Sequence, residues 1–113
     1  LRTMSKQDKV LDRLSETLAS RRNADPETSY TAQLFAGGPD SILKKIGEEC
    51  AELIMAGKEG KRLKIVWEST DVIYHVLVLL AFYGLSVEDV LQELRRREGI
   101  SGIDEKKSRK AAK

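Results

Sequence analysis

The sequence of 113 residues predicts an all-α fold of four main helices and one short helix. Apolar residues recur at helical spacing in four segments, and no stretch alternates between apolar and polar residues as a strand requires. Composition agrees, because 34% of the residues are charged and only 5% are aromatic, which is typical of solvated helices around an aliphatic core. We predict one domain over residues 5–100, followed by a basic, partly flexible tail over residues 101–113.

The first half of the chain contains two predicted helices. The first runs from about Lys6 to Arg22, where apolar residues recur at helical spacing and acidic residues face away. Asp25-Pro26 then ends the helical pattern, and Ser29-Tyr30-Thr31 leads into a short helix over residues 32–36.

Three further helices are predicted from capping residues and glycines. Asp40 is the expected N-cap of a helix that reaches about Ala56 and ends at Gly57 to Gly60. The next helix spans about residues 61–83 and stops at Gly84. Ser86 with Asp89 predicts a capping box for the last helix, which closes near residue 99.

Charge and composition exclude several classes of protein. The net charge of +2 conceals a basic excess after residue 92, but that segment contains no aromatic residue of the kind nucleic-acid binders interleave with basic ones. The longest apolar run, Val72 to Tyr83, is shorter than a membrane span requires. A single cysteine, Cys50, indicates a reducing compartment. We therefore expect a cytoplasmic protein that binds neither nucleic acid nor membranes.

Five acidic residues on the third and fourth helices form the most informative pattern. Glu48, Glu49 and Glu52 lie within about one turn of one another, and Glu68 and Asp71 are three residues apart on the next helix. If the two helices pack antiparallel across the turn between them, the two acidic groups face each other. Such carboxylates repel unless a cation lies among them, and hard oxygen ligands suit Mg²⁺ or Mn²⁺. The alternative from spacing alone is a solvated acidic face balanced by neighbouring lysines.

These residues also carry a resemblance. Glu48-Glu49-Cys50-Ala51-Glu52 followed by Glu68-Ser69-Thr70-Asp71 is similar to the EExxE and ExxD signature of the all-α, MazG-like nucleoside triphosphate pyrophosphohydrolases. More narrowly, the chain resembles the phosphoribosyl-ATP pyrophosphatase family of histidine biosynthesis. That resemblance rests on four further stretches, at residues 29–31, 44–49, 71–75 and 96–102.

The resemblance implies a MazG-like four-helix bundle that hydrolyses the α,β-phosphoanhydride of phosphoribosyl-ATP with Mg²⁺, for which Mn²⁺ is a possible substitute. The products are phosphoribosyl-AMP and pyrophosphate. Carried over position by position, the two motifs imply metal ligands at Glu49, Glu52, Glu68 and Asp71. Glu48 is either a further ligand or the general base, and we assign it the catalytic role.

Other residues are candidates with ordinary structural alternatives. Lys45 is expected to contact substrate phosphates or to pair along its helix, and Tyr30 and Thr31 to border the nucleotide or to pack. His75 either bonds to the Asp71 carboxylate or is a satisfied core histidine. Trp67 is expected in the core or an interface, and the arginines at 95–97 at a helix end, with one reaching a neighbour's phosphoribosyl group as the weaker alternative.

The fourth helix is apolar almost all round, so we expect a homodimer or higher oligomer that covers it. Three hypotheses remain at this point. The first is a phosphoribosyl-ATP pyrophosphatase, the second a MazG-like house-cleaning enzyme for free nucleoside triphosphates, and the third a non-catalytic helical interaction module.

Overall fold

The computed structural model describes residues 9–112, all of whose regular elements are helical. They are α1 (Val10–Ser20), a 3₁₀ turn (Arg21–Asn23), α2 (Tyr30–Ala36), α3 (Gly38–Glu59), α4 (Arg62–Phe82), α5 (Val87–Arg97) and α6 (Gly102–Ala112). The predicted all-α class is confirmed. The predicted start of the first helix, at residues 6–8, lies outside the described residues.

Two long helices, α3 and α4, form the antiparallel hairpin on which the fold is built. Gly60 ends α3 in a left-handed conformation with φ of 70°, which glycine adopts without a steric penalty. Gly57 lies inside the helix and does not stop it. Asp40 is not the N-cap, because α3 already begins at Gly38, with Gly37 as the N-cap and Pro39 in the first turn.

The remaining N-terminal helices pack against one end of this hairpin. The core consists of apolar side chains from α1, α2, α3, α4 and the start of α5, namely Leu18, Leu34, Phe35, Ile42, Leu77, Val78, Ala81 and Val87. Arg22 joins this region to the end of α4, since its guanidinium donates hydrogen bonds to the carbonyl oxygens of Ala81 and Phe82 at 3.3 and 2.9 Å. The buried half of α4 is therefore its C-terminal half.

The N-terminal half of α4 has a different environment. Leu63, Val66 and Trp67 are 61, 59 and 56% exposed, so of the two positions expected for Trp67 the core is excluded and an interface stays a prediction. By length and composition α4 could cross a membrane, although one such helix is weak evidence because core helices pass the same test. The helix also carries Glu68 and Asp71, which oppose insertion into a bilayer.

The C-terminal region contains both a confirmed and an unpredicted feature. The capping box is present, because Asp89 accepts a hydrogen bond from the backbone N–H of Ser86 at 2.9 Å. Residues 102–112 form the helix α6, which we did not predict within the basic, partly flexible tail expected over residues 101–113. Asp104 and Glu105 in its first turn and Arg109 and Lys110 in its last complement the helix dipole, which explains why this charged segment is helical.

One buried carboxylate connects α6 to α5. Glu105 is 5% exposed, and its Oε1 receives Arg96 at 2.6 Å and Arg109 at 3.3 Å, with Arg97 at 3.8 Å. Arg96 and Arg97 also bond to Glu93, whose pKa they lower to about 2. An ionic cluster, rather than a large apolar contact, therefore holds α6.

We expect Glu105→Gln to release α6 without unfolding the rest of the domain. The change leaves the arginines without a buried anionic partner, and α6 has little other packing to retain it. Amide hydrogen exchange in residues 103–110 should accelerate by at least about tenfold, while exchange around Ile42 and Val78 stays unchanged. Glu98→Gln, an exposed acid nearby, is the control; equal protection of α6 in both variants would contradict this assignment.

Candidate active site

Three carboxylates from the α3–α4 hairpin converge at one place. One oxygen each from Glu49, Glu68 and Asp71 lies within 4.8 Å of the other two. Glu49 is on α3, whereas Glu68 and Asp71 are one turn apart on α4, so the antiparallel packing of the two helices brings them together. The predicted meeting of the two acidic motifs is confirmed for these three residues.

The other two predicted acids lie at the edge of this group. Glu52 borders the cluster, because its charge contributes to the raised pKa values of both Glu68 and Glu49. Glu48 has an oxygen 3.5 Å from Lys45 Nζ, and both side chains are largely exposed. The five acids are therefore arranged as a core of three, one neighbour, and one residue that faces a lysine.

Burial and close neighbours raise the pKa values of two carboxyls in the cluster. Burial raises the pKa of the Glu49 carboxyl, and the charges of Glu52 and Asp71 add to the effect. The shared hydrogen bond with Glu52, followed by burial and the neighbouring charges, raises the pKa of Glu68. In both carboxyls the neighbouring negative charges add to the rise in pKa, as is usual in a group of carboxylates without a compensating cation.

Two buried oxygens provide a test of whether a cation fits these residues. Oε2 of Glu49 and Oε2 of Glu68 are inaccessible to solvent and accept no hydrogen bond from the described residues. Unpaired buried carboxylate oxygens are costly, and a bound cation would satisfy both. The donor set consists only of hard oxygens, which fits Mg²⁺ or Mn²⁺.

A hydrogen-bonded chain links α2 to this part of α4. Tyr30 Oη lies 3.0 Å from Nε2 of His75, whose Nδ1 lies 2.8 Å from the main-chain oxygen of Asp71. In the neutral imidazole Nδ1 must donate to that carbonyl, so Nε2 accepts the Tyr30 proton. His75 is 5% exposed and bonds to the backbone of Asp71 instead of its carboxylate, which confirms the interpretation as a satisfied core histidine.

The other candidate residues on α2 and α3 also have defined positions. Thr31 is buried, and its Oγ1 lies 2.5 Å from the hydroxyl of Tyr74. Tyr30 remains 47% exposed; burial raises its pKa, and the charge of Lys45 opposes that change. In turn the hydroxyl of Tyr30 and the carboxylate of Glu48 raise the pKa of Lys45. Lys45 is therefore a cation beside the acidic cluster and close to Tyr30.

The arginines at the end of α5 are not near this arrangement in the monomer. Arg95 pairs with Glu88, Arg96 with Glu93 and Glu105, and Arg97 with Glu93. Their positions agree with the structural interpretation. Tyr74, the partner of Thr31, is a site residue that no sequence pattern singled out, although it lies within one of the family-like stretches, between Asp71 and His75.

Comparison with known proteins decides the family. The family model described as phosphoribosyl-ATP pyrophosphohydrolase matches residues 11–98, which include every residue of the site. The chain belongs to the phosphoribosyl-ATP pyrophosphohydrolase family.

Individual relatives support the same assignment to the pyrophosphohydrolase family. The chain is 86% identical over 100 residues to the phosphoribosyl-ATP pyrophosphatase of Dechloromonas aromatica, covering 88% of this chain and 93% of that protein. It is 60% identical over 101 residues to the phosphoribosyl-ATP pyrophosphatase of an Azoarcus species, and the match covers 89% of this chain and 94% of that protein. It is 52% identical over 106 residues to the phosphoribosyl-ATP pyrophosphatase of Geobacter sulfurreducens, and the match covers 94% of this chain and 98% of that protein.

Proposed function

We propose that this protein hydrolyses the α,β-phosphoanhydride of phosphoribosyl-ATP, giving phosphoribosyl-AMP and pyrophosphate, as the second step of histidine biosynthesis. The observation that carries the proposal is the cluster of Glu49, Glu68 and Asp71 in a chain of this family. A polyphosphate cannot approach three carboxylates without a cation between them, and the raised pKa values of Glu49 and Glu68 indicate the same need.

We assign the metal-binding role to Glu49, Glu52, Glu68 and Asp71, with Mg²⁺ as the ion and Mn²⁺ as its substitute. When bound, the ion neutralises polyphosphate charge and orients the phosphorus for in-line attack. Glu49, Glu68 and Asp71 supply the closest oxygens, and Glu52 lies beside Glu68 and Glu49 at the edge of the cluster. The carboxylates thus fix where the reacting phosphates must lie.

The residues at the edge of the cluster have complementary roles in this proposal. Glu48 is exposed and next to Lys45, so it is placed to take the proton of the attacking water. Lys45 contributes a positive charge toward the phosphates, and the Tyr30–His75 bond holds the Tyr30 ring at the edge of the nucleotide site. Thr31 supports this wall through Tyr74.

The experiment that tests the function is pyrophosphate release in the presence of Mg²⁺, comparing phosphoribosyl-ATP with the common nucleoside triphosphates. Strong preference for phosphoribosyl-ATP is the expected result. Activity only on free triphosphates would indicate a house-cleaning enzyme with the same metal site. Absence of activity on every substrate would leave a helical interaction module.

We also propose that two copies of the chain associate through the exposed apolar face of α3 and α4. We define this face by six residues, Ile54, Met55, Leu63, Val66, Trp67 and Ile73, each at least half exposed. Its members on α4 lie on one stripe, which a small monomer would expose to water at considerable cost. We therefore propose a homodimer. We also propose that the protein is cytoplasmic, because its single cysteine, Cys50, is free, as is usual in a reducing compartment.

Light scattering tests this association. The expected mass is at least twice 12.7 kDa, and Trp67→Glu should reduce it toward the monomer by placing a charge in the apolar interface. Tyr83→Glu is the control, because Tyr83 is similarly exposed but lies at the far end of α4. A monomer mass for the unmodified chain would contradict the proposal.

A further inference from the structure

A concave site beside Tyr30 and Tyr74 contains further residues that have no role in the proposed function, among them Arg21, Thr17 and Thr28. It is a cavity of about 370 Å³ between α1, the 3₁₀ turn, the start of α2 and α4. Of the nine described residues that line it, six carry a hydroxyl group, two are leucines, and one, Arg21, carries a guanidinium. So polar a lining is suited to a ligand rich in oxygen atoms rather than to an apolar one.

Some of these hydroxyl groups present only lone pairs to the cavity. The Thr17 hydroxyl donates to the carbonyl oxygen of Arg13 at 2.9 Å, and the Thr28 hydroxyl donates to that of Asp25 at 3.3 Å. Each hydroxyl has a single hydrogen, so both oxygens can only accept further bonds. They match the hydroxyl groups of a sugar, which need acceptors.

Other side chains that line the cavity can donate hydrogen bonds to a ligand. Ser29 Oγ accepts from the backbone N–H of Ala32 at 3.2 Å, which leaves its own hydrogen available. The contact between Thr31 and Tyr74 uses one of their two hydroxyl hydrogens and leaves the other. Arg21 adds its guanidinium, for which the described residues provide no ion-pair partner. These donors match the oxygens of a phosphate.

The charge of the cavity favours the same ligand. Arg21 is the single charged side chain among its described lining residues, so the cavity is positive next to a strongly acidic site. A guanidinium binds phosphate through two parallel hydrogen bonds, which a neutral side chain cannot reproduce. Donors, acceptors and charge together describe a phosphorylated sugar.

Two residues connect this cavity to the acidic cluster. Tyr74 lines the cavity and follows Asp71 by three residues on α4, a rise of about 4.5 Å. Tyr30 lines it too and is bonded to His75, whose other ring nitrogen bonds to Asp71. One molecule can therefore occupy both sites, with its polyphosphate at the carboxylates and a second phosphate in the cavity.

We propose that this cavity binds the ribosyl 5-phosphate group of the substrate, with Arg21 as the phosphate ligand and Thr17 and Thr28 as acceptors for the sugar hydroxyls. The proposal rests on the proposed function and deepens it, because it explains how the enzyme distinguishes phosphoribosyl-ATP from ATP. It also replaces the weaker expectation that an arginine of α5 has this role, since those three arginines are already paired with acids.

Steady-state kinetics on the full chain test the role of Arg21. Arg21→Gln should raise KM for phosphoribosyl-ATP by about 10- to 100-fold, the usual effect of losing a charge-assisted hydrogen bond, with kcat nearly unchanged. Arg21→Lys should recover part of the loss. Arg13→Gln, an exposed arginine on α1 outside the cavity lining, is the matched control. An unchanged KM in Arg21→Gln would overturn the proposal.

Titration with ribose 5-phosphate separates this proposal from the proposed function. In NMR spectra recorded without metal, the sugar phosphate should shift the amide signals of residues 28–31 in the unmodified protein and in Arg13→Gln, but not in Arg21→Gln. Ribose should have much less effect. These shifts would support the cavity even if phosphoribosyl-ATP were not hydrolysed, and their absence in the unmodified protein would contradict it.

Discussion

Glu68→Gln and Asp71→Asn should each reduce pyrophosphate release from phosphoribosyl-ATP by at least about 100-fold, because each removes one charged oxygen ligand from the cluster. The reacting phosphates would then lose both neutralisation and orientation. The reduction should appear mainly in kcat, since the sugar and base contacts remain. Increasing the Mg²⁺ concentration should restore only part of the activity.

The matched control for this prediction is Glu59→Gln. Glu59 is the last residue of α3, on the same helix hairpin, and lies outside the two acidic motifs. It pairs with Lys61 at 3.2 Å, and both side chains are largely exposed. Its activity should remain close to that of the unmodified protein. Full pyrophosphate release in Glu68→Gln or Asp71→Asn would show that these residues do not bind the metal.

Glu68→Gln should also make the metal-free protein more stable at neutral and alkaline pH. In the folded state the pKa values of Glu49 and Glu68 are above the ordinary value of 4.5. A raised carboxyl pKa contributes stability that is fully present below the unfolded value and is lost as pH rises through the folded value. Glu68→Gln avoids this loss, because an amide carries no charge.

Thermal unfolding in the presence of a chelator measures this effect. The difference in Tm between Glu68→Gln and the unmodified protein should be small below the ordinary carboxyl pKa of 4.5 and should increase as pH rises above it, until the carboxyls of the unmodified protein are ionised. Glu59→Gln should show no such rise. A variant that is less stable than the unmodified protein at alkaline pH would contradict the assignment of repulsion to this cluster.

Adding Mg²⁺ should reverse the order of stability. A ligand that binds only the folded state at about 100 times its Kd stabilises it by about 2.7 kcal/mol, which corresponds to a rise in Tm of roughly 10 °C or more for a domain of this size. The unmodified protein should show this increase, and Glu68→Gln should show much less. Equal increases in both proteins would indicate that the ion binds elsewhere.

The sequence predicted the site as well as it did because its two acidic motifs are short and helical. A spacing of three or four residues places side chains on one face of a helix whatever surrounds it, so Glu49 with Glu52 and Glu68 with Asp71 could be paired in advance. The glycine at position 60 made an antiparallel hairpin the expected connection. The capping box at Ser86 was equally local, and the structure contains it.

Errors occurred where a local signal competes with longer-range contacts. Asp40 has the chemistry of an N-cap, but the chain turns into α3 at Gly38, whose φ of 79° is readily adopted by glycine. The basic segment after residue 101 has little apolar periodicity, yet Glu105 finds arginines from α5 and the helix forms. No pattern within residues 101–113 reveals those partners.

The sequence by itself determined the all-α class, the hairpin of α3 and α4, the acidic residues and, through its resemblance, the family, because helical periodicity and short motifs depend on neighbours within a few residues. Only the tertiary structure decided that Thr31 contacts Tyr74, that His75 bonds to Tyr30, and that Arg21 shares a cavity with Thr28 and Tyr74. Those contacts depend on how separate helices pack, and the packing depends on the whole core.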